Sequence, residues 1–305
     1  MILSIGEILT DNFIDGKDKT TLPGGAPFNV ACNIKTFNGD VAFLGAIGND
    51  EDGRLLEKFA KAKLDNLYLE VLSNRSTSQA IVTLKDGERS FKFNRSTGAD
   101  YCLSLSSLKK IGLSEIKIVH IGSLMLSEKE GYDFFFEAIK YIKNNSICLI
   151  SFDVNYRDDI FPNEDTAKKI FISAIKEADL IKFTEEELEL LSGEKDYKKG
   201  LEKLLFKNQV AVVSLGKEGS LFYSKDKFIK VDTYPLKPVD TTGAGDAFYS
   251  YFLYAIDKGL DLSNDDEIKS ELYKANLIGG LATQKKGAID VAPNLKELKE
   301  FIEKI

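Results

Sequence analysis

Seven consecutive residues, Asp240-Thr241-Thr242-Gly243-Ala244-Gly245-Asp246, combine two carboxylates, two hydroxyls and two glycines. They stand ahead of the apolar run Ala247-Phe248-Tyr249-Ser250-Tyr251-Phe252-Leu253. That run reads as the opening of a buried helix, and the glycines let a ligand approach the backbone because no Cβ stands in the way. The first N–H groups of a helix lack internal partners and carry about half a positive charge, so an anion is favoured there. Asp246 falls within a turn of that anion site, where its own charge would repel a phosphate. A carboxylate so placed is expected to act as a general base. It would take the proton of a hydroxyl while the N–H groups of Gly243, Ala244 and Gly245 hold a phosphoryl group. The plainer reading of the same stretch is an N-capping Asp after a glycine turn.

Other residues offer matching chemistry. Asp11 follows the apolar stretch Ile2 to Ile8, and ligands of open parallel sheets gather beyond the C-terminal ends of strands. It is a candidate for a substrate hydroxyl, with an ordinary loop Asp as the alternative. Gly24-Gly25 precedes Ala26-Pro27-Phe28-Asn29-Val30-Ala31-Cys32-Asn33-Ile34. Pro27 suits a first helical turn, and Asn29 can donate and accept at once, as a sugar hydroxyl requires. Asp153-Val154-Asn155-Tyr156-Arg157, Thr184-Glu185-Glu186-Glu187 and Ser214 to Ser220 each follow or end an apolar run. These three clusters are therefore expected on one rim of a sheet. There Arg157 offers a planar fork for phosphate oxygens. Glu187 could hold water in the shell of a magnesium ion, and Gly216 and Gly219 allow close contact with phosphate or ribose. Taken singly, each has a plainer reading as an ion pair, a first-turn acid or a turn. Arg95 could reach a substrate hydroxyl or carboxylate, or lie on the surface.

Positioning these groups falls to an alternation of strands and helices. Strands are expected at Ile2 to Ile8, Val41 to Ile47, Lys117 to Gly122, Ile147 to Asp153, Asp179 to Phe183 and Val210 to Leu215. Helices are expected at Asp52 to Leu64 and over residues 129–144, 164–177 and 185–192. Such alternation predicts an α/β chain with a doubly wound, mostly parallel sheet and helices on both faces. Gln79 to Leu84 and Ser90 to Phe93 instead alternate like half-exposed strands joined across Asp86-Gly87, and Phe13 to Thr21 could be another. Inserts at about residues 12–22 and 78–98 would then form a small β lid excluding water from the site. No repeat and no linker divides the chain, so residues 1–305 are expected to form one domain. Ile268, Leu272, Ala275, Gly279 and Ala282 fall on one helical stripe beside Asn276, where small residues permit close packing or leave room for a flat ring.

Asp240–Asp246 resembles the C-terminal signature of the ribokinase-like (PfkB-type) carbohydrate kinases. A second signature of that family is matched upstream at Gly24-Gly25-Ala26-Pro27-Phe28-Asn29-Val30-Ala31, followed by Gly48. The resemblance covers essentially the whole chain. It implies ATP and Mg2+ as cofactors and gives Asp11 to sugar hydroxyls and Arg157 to the transferred phosphate. It also sets Lys182 and Glu187 beside nucleotide and magnesium, and adenine near Asn276 and Gly287-Ala288. A monovalent cation such as K+ near Asp240 and Ala288, and a homodimer paired through lid edges, are implied by the resemblance alone. The passage Phe91 to Asp100 is similar to the fructokinase branch. Asn38, Asn94, Thr184 and Tyr251 depart from the family's usual residues at their positions.

The 305 residues are 43% hydrophobic and 29% charged, with a net charge of −7 and no long run of one sign. That balance argues against a nucleic-acid partner. Cys32, Cys102 and Cys148 lie far apart and are expected as free thiols in a reducing cytoplasm. The single histidine, His120, ends an apolar run and reads as a core residue, which argues against histidine-based catalysis. No stretch approaches the ~18 apolar residues of a membrane span. The expected activity is ATP-dependent phosphorylation of a small sugar, fructose first and 2-keto-3-deoxygluconate second. A catalytically silent sugar or nucleoside sensor on the same fold is the alternative of another class.

Overall fold

All four residues of β1 (Ile2–Ile5) are buried, because the sheet they enter is covered by helices on both faces. The computed structural model describes residues 1–15, 18–85, 88–206 and 208–305. The expected Asp86-Gly87 turn lies outside the described residues. The further strands are β2 (Leu9–Asp15), β3 (Asp18–Gly24), β4 (Val41–Gly48), β5 (Asn66–Leu72), β6 (Gln79–Lys85) and β7 (Glu88–Asn94). Then come β8 (Ile118–Ile121), β9 (Leu149–Asp153), β10 (Leu180–Thr184), β11 (Val210–Ser214), β12 (Ser220–Ser224) and β13 (Lys227–Val231). The helices are α1 (Ala26–Thr36), α2 (Glu51–Lys63), α3 (Leu105–Lys109), α4 (Lys129–Asn145) and α5 (Glu164–Ile175). They continue with α6 (Glu185–Ser192), α7 (Tyr197–Leu204), α8 (Ala244–Asp257), α9 (Asp265–Ala282) and α10 (Leu295–Ile302).

The large sheet has the order β13-β12-β11-β10-β9-β8-β1-β4-β5. It is parallel from β5 to β11, with β12 and β13 antiparallel at one edge. Successive β1 residues feed opposite cores: Leu3 and Ile5 pack on one side, Ile2 on the other. That is why its strands read as unbroken apolar runs and not as alternation. Fully burying a Phe or Leu is worth roughly 1.5–3 kcal/mol, and Phe28, Phe43, Phe152, Phe183 and Phe252 all have such places. Chain order runs from β1 outward through β4 and β5, then returns to the other side of β1 at β8. This reversal opens a crevice at the C-terminal ends of the strands.

A second sheet of four strands, β3-β2-β6-β7, stands over that crevice as a lid. Its root is tied to α2. Asp52 Oδ2 accepts from Thr10 Oγ1 at 3.2 Å and from Gln79 Nε2 at 2.5 Å, while Asp50 accepts from the Thr77 N–H and hydroxyl.

Several expectations are corrected. The stretch Ile2 to Ile8 is not one strand. Gly6, at φ 148°, ends β1 and sends the chain into lid strand β2, so Asp11 sits in a strand, opposite Leu22 and Ala80, and not in a loop. Phe13 to Thr21 is not a single strand but parts of two, β2 and β3. The edge strand β5, the helices α3 and α7 and the hairpin β12–β13 had not been anticipated. Two of the family departures find local reasons. Asn38 adopts φ 57° just past α1, a left-handed conformation Asn tolerates. Tyr251 meets Phe37 edge-on at 5.6 Å, with its hydroxyl 2.8 Å from Glu271 Oε2. Among the described residues no helix is long and apolar enough to cross a membrane, and the three cysteines are free.

Candidate active site

Helix α8 begins where the chain cannot accept a side chain. Gly243, its N-cap, has φ 75°, and a Cβ there would lie 2.7 Å from Ala288 Cα. The 240–243 loop therefore packs directly on residues 287–288, and Asp240 Oδ2 accepts from the Gly287 N–H at 3.1 Å. Asp240 Oδ1 takes the N–H and hydroxyl of Thr242. This fixes the loop and leaves the first turn of α8 facing the crevice. Of the three amides expected to hold a phosphoryl group, that of Ala244 is engaged by Thr241 O at 3.2 Å. Those of Gly243 and Gly245 lie where a helix offers no internal acceptor.

Asp246 occupies the third position of α8 and does not cap it. Its Oδ2 accepts from Asn29 Nδ2 at 2.7 Å, so α1 orients the carboxylate across the crevice. Burial raises its pKa, and the Asn29 hydrogen bond and the charges of Lys182 and Arg157 oppose that rise. The group is thereby shifted toward the range in which a carboxylate accepts a proton readily.

Two cavities meet at this helix start. The smaller, of about 110 Å³, is lined by Asp11, Asn29, Asn155, Arg157, Gly243 and Asp246, with Leu9, Ala80, Phe93 and Leu124 as apolar walls. Its acceptors outnumber its cations. Burial, with Asp246 and Asp240 nearby and Arg157 opposing, pushes the Asp11 carboxyl up to about 7. Asn29 Oδ1 is buried without a hydrogen-bond partner among the described residues. Such a wall suits a neutral molecule rich in O–H donors. Arg157 is exposed, and its guanidinium makes no ion pair with the described carboxylates, so it remains available to an incoming anion.

The larger cavity, of about 450 Å³, lies on the other side of the same turn. Ser214, Gly216, Lys217 and Gly219 form one wall, Tyr234, Pro235 and Leu236 another, and Asn276, Gly279 and Gly280 of α9 a third. Thr241, Ala244 and Gly245 close its inner end. Asn276 Nδ2 donates to Val231 O and Asp232 O, so it anchors the segment that forms the second wall. The cleft is mostly apolar, as an aromatic base requires.

Beneath the turn, Lys182 Nζ lies 3.0 Å from Asp153 Oδ1, both nearly fully buried. Burial disfavours the ammonium, but Asp153, Glu187 and Asp246 outweigh it and hold the lysine charged. A Cβ on Gly245 would sit 3.4 Å from that Nζ, which places a fixed positive charge under the helix N-terminus. Glu187 closes a capping box on Thr184, and its Oε1 accepts from the Tyr156 N–H at 2.9 Å. Its remaining lone pairs can hold a water, so it fits a magnesium ion bound through its hydration shell. Among the described residues no cluster of three acids, His or Cys forms a direct metal cage.

Not every expected residue arrives at the site. The Arg95 guanidinium is buried in a 2.7 Å ion pair with Asp100, donates to Ser127 and Leu124 O, and lies over the Tyr101 ring. Its donors are committed to the protein. Gly24 and Gly287 line neither cavity, whereas Gly25 and Ala288 line the smaller one. His120 is buried against Ser151 and, driven by burial, pushed down to about 3, so it is neutral and part of the core. Thr241, Asn155 and Asp153 had been named within their clusters but given no role of their own, and the 233–238 wall had not been singled out. Asn155, at φ 38°, carried a signal, since Asn is among the few residues that adopt this conformation.

A model described as pfkB family carbohydrate kinase matches residues 5–295. The probable fructokinase-7 of Arabidopsis thaliana is 37% identical over 287 residues, covering 92% of this chain and 83% of that protein. Fructokinase from Vibrio cholerae O395, in its fructose, ADP and calcium ion bound form, is similar at a TM-score of 0.89 and 33% identity, covering 98% of each chain. Fructokinase with bound ATP from Xylella fastidiosa is similar at a TM-score of 0.91 and 28% identity, covering 99% of this chain and 98% of that one.

Proposed function

The chain belongs to the pfkB family of carbohydrate kinases, and we propose that it transfers the γ-phosphoryl group of ATP to fructose, giving fructose 6-phosphate. The observation that carries this reading is the pair of cavities sharing the first turn of α8. A nucleotide in the larger cleft would direct its phosphates at the Gly243 and Gly245 amides, and a sugar in the smaller one would meet Asp246 from the opposite side. The sugar hydroxyl oxygen attacks the γ-phosphorus, its proton passes to the Asp246 carboxylate, and the bond to the β-phosphate oxygen breaks to release ADP. Charge on the migrating group is met by the two amides, Arg157 and the Lys182 ammonium. A fixed donor of this kind commonly supplies ~3–4 kcal/mol, and a placed base ~10²–10⁴-fold. Magnesium, when bound, would neutralise charge on the nucleotide phosphates beside Glu187.

The composition of the smaller cavity favours a neutral sugar over 2-keto-3-deoxygluconate. Arg95 is bound to Asp100, and Arg157 is needed for the phosphate. Asp11, Asn29 and Asp246 would then face a substrate carboxylate with like charge or unpaired acceptors. The Vibrio cholerae fructokinase binds fructose with ADP and the Xylella fastidiosa fructokinase binds ATP, which supports the same choice. Coupled ADP release over a panel of neutral hexoses, pentoses, nucleosides and acid sugars tests the proposal. The expected result is turnover of fructose above all others. Turnover confined to acid sugars would overturn the substrate assignment, and sugar binding with no ADP released would favour a sensor.

A further inference from the structure

One carboxyl of the smaller cavity has no part in the transfer itself. Glu7 stands two residues beyond β1 and lines the cavity beside Asp11, Asn29 and Asp246. It is 1% exposed, and its Oε2 has no hydrogen-bond partner among the described residues. A buried carboxyl that serves only the fold is expected to satisfy its oxygens on the protein. Asp100 does so, on Ser78 and Arg95, but Glu7 does not. Space is cleared for it: a Cβ on Gly122, just past β8, would lie 2.7 Å from Glu7 Oε2. Asn29 Oδ1, on the wall of the same cavity, is another buried acceptor without a partner among the described residues. Burial, opposed by its own backbone N–H and by Arg95 and reinforced by Asp100 and Asp246, pushes the Glu7 carboxyl up to about 8. Near neutral pH it therefore carries a proton and can donate as well as accept.

We propose that Glu7 is a specificity-determining residue of the sugar site, reading one substrate hydroxyl through Oε2. The inference rests on the assignment of the smaller cavity to the acceptor sugar.

The test compares kcat/KM for fructose with those for its monodeoxy analogues, in the wild type and in Glu7→Met, Glu7→Asp and Glu7→Gln. In the wild type, the analogue lacking the hydroxyl that Glu7 reads is expected to fall by about tenfold or more, mainly in KM. Glu7→Met removes the polar oxygens and Glu7→Asp withdraws them, so both should bring that analogue level with fructose. Glu7→Gln, which keeps the shape and both hydrogen-bonding roles, should retain the wild-type preference within about threefold. A preference within one variant does not depend on how much of the sample is folded, so lost stability cannot imitate the effect. Unchanged preferences in either the Met or the Asp variant overturn the proposal. If the wild type turns over no neutral sugar, the functional reading fails first. Calorimetric binding of fructose to wild type and Glu7→Met then decides Glu7 separately, equal affinity or no binding counting against it.

Discussion

Replacing Asp246 by Asn removes the proposed base while disturbing little else. The side chain is half-buried and held by one 2.7 Å hydrogen bond from Asn29 Nδ2. An Asn carbonyl oxygen can accept that same bond, so the rotamer and the third position of α8 are preserved. The other atom becomes an N–H donor facing the sugar, which can hold a hydroxyl oxygen but cannot receive its proton. A negative charge beside the phosphate is also lost, so nucleotide affinity should hold or improve slightly. The loss therefore falls on kcat. General-base removal alone predicts a decrease of ~10²–10⁴-fold, with KM for ATP and for the sugar within a few-fold of wild type. Steady-state coupled ADP release gives kcat and KM, and calorimetric titration gives the two affinities independently of turnover. A variant keeping more than about a tenth of wild-type kcat, below the smallest loss that base removal predicts, would refute the base assignment. A variant that lost sugar binding along with kcat would show Asp246 to be mainly a binding group.

Arg95→Met should destabilise the protein, because it leaves the Asp100 charge buried beside Ser78 without its 2.7 Å partner. Breaking such a pair costs about 3–5 kcal/mol, a fall in Tm on the order of 10 °C, while KM for the sugar stays near wild type. A raised KM with an unchanged Tm would instead place Arg95 on the substrate. The pH dependence of stability follows from Glu7 and Asp11, whose carboxyls are pushed up to about 8 and about 7 when folded. The folded chain keeps protons that the unfolded chain releases near pH 4, so this contribution is complete below about 4 and lost as pH rises toward 8. The ligand-free protein should therefore melt at lower temperature at pH 9 than at pH 6 in a thermal scan. Glu7→Gln or Asp11→Asn should each flatten the trend, and a slope of the opposite sign would contradict the burial of these two groups.

What could be read before folding, and what could not, divides along a physical line. Asp240 to Asp246 was legible because its chemistry is contiguous: the amides, the glycine turn and the carboxylate all lie within one loop and one helical turn. The parallel sheet was legible because both of its faces are buried, which turns strands into unbroken apolar runs. The hairpin β12–β13 escaped because its turn, Lys225-Asp226, carries no glycine and its strands are short. Arg95 was misplaced because nothing in its local pattern distinguishes a guanidinium aimed at substrate from one closed on Asp100 five residues later. The same limit hid the 233–238 segment, whose role arises only from standing opposite Gly279 and Gly280 of α9. It also hid Glu7, since the absence of a partner for one oxygen is a property of three dimensions alone. A transferase of this design needs one element that touches both substrates. In the proposed function that element is the start of α8, and the walls that would choose the substrates are assembled from distant segments. Substitutions in the 243–246 turn should therefore impair transfer to every acceptor alike. Substitutions at Glu7, Ala80 or Leu124 should change which acceptor is used.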